Sequence, residues 1–209
     1  VATDKFDLGY MKHIYDPMFE KEGSRIKAVL EIGVYEGESI KEWHTRFPEA
    51  VVHGMDLGLV DVQGVNPNLV TVYSQVDAYR TESIIRFMGI RPQGYDLIIE
   101  DGPHTLESQL FFVRNYGALL ADEGIMVLED IIHPGALEKI EQAIDKKEFE
   151  VVRHDMRGKQ LPLWLRDRWQ SGLDVLVMKK RKKVAPVVTS LVSQTLKSML
   201  TNSGDKEDA

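Results

Sequence analysis

Apolar strand patterns alternate with helical patterns along the first 150 residues, and this alternation constrains the fold more than any other feature. Strands are expected at residues 28–32, 51–56, 69–74, 96–100 and 125–129. Helical spacing of apolar residues marks 39–47, 80–88 and 106–120, where Leu106, Leu110, Val113, Tyr116 and Leu120 share one face, and a further helix is expected at 135–146. Strands that are apolar throughout are buried on both sides, so they run parallel with helices covering both faces of the sheet. Two later strand patterns, 149–154 and 174–178, form a pair that implies an antiparallel finish at one edge.

A chain of 209 residues can hold one such α/β domain and a tail. Composition changes at Lys179-Lys-Arg-Lys-Lys183, and an acidic, polar end follows. We expect a domain at 1–180 and a tail at 181–209, disordered over 201–209. The basic run has the look of a solvated charge cluster. The formal charge is −7 and the pI about 5.4, which gives no electrostatic reason to expect nucleic acid or an anionic membrane as partner. No cysteine is present, so thiolate chemistry and sulfur-ligated metals are excluded. No apolar run approaches the roughly 20 residues of a membrane span, and a soluble, cytoplasmic protein is expected. The chain opens at Val1 without an initiator methionine, as a processed product or a piece of a longer protein would.

Chemistry concentrates where strands should end. The first strand leads into Glu31-Ile-Gly33-Val-Tyr35-Glu-Gly37-Glu-Ser39, a glycine-rich turn opening a helix. Its Gly-x-x-x-Gly spacing departs from the pyrophosphate-cradling Gly-x-Gly-x-x-Gly and suits a ligand without phosphates. Asp56 ends the second strand and Asp77 follows the third. Asp101-Gly-Pro-His104 follows the fourth, and Glu129-Asp130 the fifth. Crowded carboxylates repel, and such a cluster is normally relieved by a bound cation or by protonation. Strand alternation turns Glu100 away from Asp101.

Glu31 to Ser39 resembles the first motif of class I S-adenosylmethionine-dependent methyltransferases. That resemblance implies a Rossmann-like, seven-stranded, mostly parallel sheet with an antiparallel last strand. It assigns Glu31, Gly33, Tyr35, Gly37, Ser39, Asp56 and Asp77 to S-adenosylmethionine, with Asp56 on the ribose hydroxyls and Asp77 near the adenine. Asp101-Gly-Pro-His104 and Glu129-Asp130, together with Thr3-Asp-Lys5 and Tyr15 near the start, resemble the metal-dependent macrolide sugar O-methyltransferases and the related cephalosporin-hydroxylase-like group. The resemblance implies Asp101, Glu129 and Asp130 as ligands of a divalent cation and His104 as general base.

An oxygen-rich site favours Mg²⁺, with Mn²⁺ or Ca²⁺ as substitutes. The expected reaction is methylation of one hydroxyl of a vicinal diol, most simply on a sugar, with the diol chelated by the cation and its proton passed to His104. A hydroxylase with iron stays open, because His133 near Glu129 offers a second nitrogen ligand. A catechol acceptor and a non-catalytic binding module on the same fold also stay open. Trp164 and Trp169 are candidate stacking residues for a sugar ring, and companion glycosyltransferase domains would suit a chain of this kind.

Overall fold

The computed structural model describes residues 3–156 and 173–182. Trp164, Trp169 and the residues from 183 onward lie outside this range. The sheet has seven strands: β1 (Ala28–Ile32), β2 (Val51–Met55), β3 (Val70–Tyr73), β4 (Tyr95–Glu100), β5 (Leu120–Ile131), β6 (Phe149–Asp155) and β7 (Asp174–Lys180). Their order is β3-β2-β1-β4-β5-β7-β6. Pairs from β3 through β5 are parallel, and β7 runs antiparallel to both β5 and β6. This is the α/β sheet expected from the sequence, antiparallel last strand included.

Each central strand is apolar on both sides, and its alternate residues feed two cores. Leu30, Ile32, Ile98 and Leu128 join Phe87 and Phe112 from α4 (Thr81–Ile90) and α5 (Leu106–Asn115). Val29, Leu97, Ile99 and Val127 face the opposite way, toward Trp43 of α3 (Glu38–Arg46). The last helix, α6 (Ala136–Ala143), buries Leu137 and Ile140 in the first core. Helical spacing accounts for these faces.

The sequence patterns did not reveal the opening elements: α1 (Asp4–Asp7), a π-helical turn at Met11–Tyr15, α2 (Asp16–Glu22) and a 3₁₀ turn at Gly23–Arg25. This segment supplies Tyr10, Met11, Ile14 and Tyr15 to the second core. Two lysines of the basic run serve the fold. Lys179 Nζ lies 2.5 Å from Glu22, and Lys180 Nζ donates to the carbonyls of Gly117 and Leu120. Among the described residues no helix is long and apolar enough to cross a membrane.

Candidate active site

Parallel strands β1, β4 and β5 end side by side, which puts their C-terminal residues in one place. Glu100 pairs with Leu128 in register, so Asp101 follows next to Glu129. In an even strand Glu129 and Asp130 would point to opposite faces. Here the β5–β7 register shifts between Leu128 and Ile131, and Asp130 adopts φ 51°. An irregularity of this kind re-aims a side chain at the sheet rim. His104, at φ 55°, and Tyr35, at φ 51°, are also left-handed without being glycine. Such backbone costs about 1–3 kcal/mol each and persists where the surroundings hold it.

The result is a compact donor set. His104 Nε2 lies 3.9 Å from Asp101 Oδ1 and 3.6 Å from Asp130 Oδ2. One ligand atom from each of these three residues lies within 4.8 Å of the others, a spacing that can close around one cation. Burial, reinforced by the Asp101 charge, pushes the Asp130 carboxyl up to about 6.

The opening segment grips the same carboxylates from behind. Lys5, wholly buried, places Nζ 2.5 Å from Asp101 Oδ2, 2.7 Å from Glu129 Oε2 and 3.6 Å from Glu31 Oε1. Tyr15 donates its hydroxyl to Glu129 Oε1 and Tyr10 to Asp130 Oδ1. Burial by itself would lower the Lys5 pKa, but Asp101, Glu129 and Glu31 outweigh it and hold the ammonium well above its ordinary value. Burial drives Glu129 well upward, with Lys5 opposing. Both Glu129 oxygens are engaged by Lys5 and Tyr15, while Asp101, His104 and Asp130 lie together beside them.

Beside this set lies a cavity of about 560 Å³ lined by Gly33, Tyr35, Asp56, Asp77, Tyr79 and Asp101, among others. Gly33, at φ 83°, packs its α-carbon against the Asp101 carbonyl, where any side chain would collide. Asp56 Oδ2 accepts from the backbone N–H groups of Val34 and Tyr35, and Oδ1 accepts from Gly58. Asp77 accepts from the Tyr79 N–H and pairs with Arg80 at 3.0 Å. An adjoining cavity of about 410 Å³ includes Thr3, Asp4, Ser39, Asp101 and His104 in its walls. Glu31 and Gly37 line neither cavity. Glu31 accepts from Ser39 Oγ and Trp43 Nε1, and burial raises it to about 7. Glu100 turns aside as alternation requires, accepts the Tyr79 hydroxyl at 2.5 Å, and is raised by burial to about 8. His133 is exposed and stands outside the donor set.

No protein-family model matches the chain. Over 143 residues it is 27% identical to the 8-demethyl-8-(2-methoxy-alpha-L-rhamnosyl)-tetracenomycin-C 3'-O-methyltransferase of Streptomyces olivaceus, covering 62% of this chain and 34% of that enzyme. Its fold superposes on the MycE methyltransferase of the mycinamycin pathway, solved with Mg and SAH, with a TM-score of 0.60. That match has 19% identity and spans 89% of this chain and 58% of MycE. The chain has the class I methyltransferase fold. It resembles the macrolide sugar O-methyltransferases. The same fold extends to the Methanococcus jannaschii fibrillarin pre-rRNA processing protein, with a TM-score of 0.53, 12% identity, and coverage of 76% and 68%. The methyltransferase fold alone thus does not select an acceptor, and the chain spans about a third of its curated relative.

Lys5, Tyr10 and Tyr15 are the site residues that sequence reasoning gave no role. Thr3-Asp-Lys5 and Tyr15 carried a signal as part of the opening motif, but Tyr10 carried none.

Proposed function

We propose that this chain is an S-adenosylmethionine- and Mg²⁺-dependent O-methyltransferase that acts on one hydroxyl of a vicinal diol on a sugar. The observation that carries the proposal is the convergence of Asp101, His104 and Asp130 around one point, with Asp101 in the wall shared by two adjoining cavities and His104 in the wall of the smaller one. The larger cavity, with Gly33, Tyr35, Asp56 and Asp77, suits the nucleoside of the donor. The smaller one, with Ser39 and His104, suits the acceptor. MycE has been solved with Mg, SAH and mycinamycin VI, which supports the assignment by analogy of fold.

The donor set fits a hard cation, because it offers carboxylate oxygens from Asp101 and Asp130 within reach of one point. When bound, such an ion supplies Lewis acidity that lowers the pKa of a chelated hydroxyl. Asp101, Glu129 and Asp130 would hold it. His104 Nε2, facing both carboxylates, is placed to take the hydroxyl proton. Gly33 lets the β1 turn approach the Asp101 backbone closely, so the two cavities meet at Asp101. Asp56 retains acceptor capacity on Oδ1 for a ribose hydroxyl.

The hydroxylase alternative calls for two histidines and a carboxylate, and the described donor set contains one histidine. Residues 1–180 form the proposed methyltransferase unit, cytoplasmic and acting beside glycosyltransferase domains or enzymes. Methyl transfer to a panel of glycosides, with and without a chelator, tests the assignment. Diol-dependent, chelator-sensitive turnover is expected. Turnover that survives chelation would remove the metal.

A further inference from the structure

Helix α5 packs Phe112 and Val113 into the first core and turns a different set of residues away from it. Glu107, Leu110, Phe111 and Arg114 recur at the i, i+3, i+4, i+7 spacing of one helical stripe, and with Leu106 and Asn115 they line an open recess. Leu106, Leu110 and Phe111 are half-buried. Glu107 and Arg114 are exposed and, among the described residues, have no ion-pair partner. Helix α4 lies on the same side of the sheet and touches the 3₁₀ turn Tyr116–Leu119 that extends α5. Its Ile85 is 64% exposed and its Met88 48%, one helical turn apart, and neither lines the two cavities of the candidate site.

The order of charge and apolarity along the stripe selects a partner. Glu107 lies as far before the midpoint between Leu110 and Phe111 as Arg114 lies after it. A two-fold axis through that midpoint sets two α5 helices antiparallel, with the apolar residues meeting at the centre and Glu107 of each opposite Arg114 of the partner subunit. We propose that this face of α5 binds a second copy of the chain in that arrangement, with Ile85 and Met88 of α4 adding apolar area beside it. At 10 residues α5 is about 15 Å long, and so short a helix pair buries less than the roughly 1,200 Å² of a stable complex. The dimer is therefore weak and forms as concentration rises. Glu107 in the first turn and Arg114 in the last also suit the dipole of a solitary helix, so the test must read pairing between chains. None of this depends on the methyl-transfer reading.

Sedimentation velocity of the full chain over a wide range of concentrations provides that test. The native chain should pass from monomer toward dimer. Glu107→Arg and, separately, Arg114→Glu should each weaken self-association about tenfold, because two attractive pairs become two repulsive ones. An equimolar mixture of the two variants should associate within about threefold of native, since each charge then meets its opposite on the other chain while the helix dipole of each stays mismatched. Should one variant not fold, the chain carrying both reversals decides: native-like association supports the arrangement, and loss of association overturns it. Three results would overturn the proposal outright: a native chain that is monomeric throughout, association that neither reversal weakens, or reversals that mixing does not rescue. The first would leave the recess to another occupant, such as residues 183–209 of the same chain.

Discussion

At the scale of single residues, His104 is held in a left-handed backbone conformation with Nε2 toward two carboxylates, and its chemistry depends on that placement. Removing a positioned general base typically costs 10²- to 10⁴-fold in rate. His104→Ala should therefore lose at least about 100-fold in kcat, while S-adenosylhomocysteine, measured calorimetrically, binds as before. Near-native turnover would end its candidacy as base. Gly33 is constrained differently. Its α-carbon abuts the Asp101 carbonyl at φ 83°, so an added methyl group must displace β1 from β4 where the cavities meet. Gly33→Ala should lose homocysteine-nucleoside binding by at least about tenfold and lower Tm by several degrees. Unaltered binding would mean that the turn is not part of the donor cavity.

At the scale of elements, legibility followed burial. The interior strands were readable because β1, β4 and β5 each carry a short run of buried apolar residues, and β1 falls where its pattern placed it. The opening segment was not, because α1 has four residues and the next turn is π-helical, too short and irregular for a 3.6-residue period to emerge. The strand-end acids were visible as residues, but not the irregularity that swings Asp130 out of alternation, nor the ammonium brought to them from 96 and 124 positions away. A strand can also conceal a titrating group. His53 sits buried on β2 with Nδ1 2.7 Å from the Tyr95 hydroxyl, and burial, aided by Arg91, lowers it to about 4. Above its ordinary value of about 6.5, folded and unfolded forms are both neutral and no cost arises. Between that value and about 4 the unfolded chain binds the proton that the fold refuses, so stability falls as pH falls. Tm measured from pH 7 to 4 should drop more steeply for the native chain than for His53→Gln; parallel curves would exclude His53 as the source.

For the whole molecule, the opening segment joins stability to the site. Tyr10, Met11, Ile14 and Tyr15 are each at most 2% exposed and cover the same core that Val29, Leu97, Ile99 and Val127 present from the sheet. At about 1.5–3 kcal/mol for each large apolar side chain, uncovering that face would cost an amount comparable with the 5–15 kcal/mol that holds a typical domain together. The same deletion would strip Lys5 and both phenols from Asp101, Glu129 and Asp130, leaving buried charge without partners. A chain beginning at Ile26 should therefore lose its cooperative thermal transition and, with it, homocysteine-nucleoside binding. Tyr15→Phe makes a milder test of the same coupling. It keeps the ring against Trp43 while removing the hydrogen bond to Glu129, and should lower Tm modestly without unfolding the chain. If the shortened chain melts cooperatively and still binds the nucleoside, the sheet and its remaining helices suffice, and the opening segment belongs to the cation site alone.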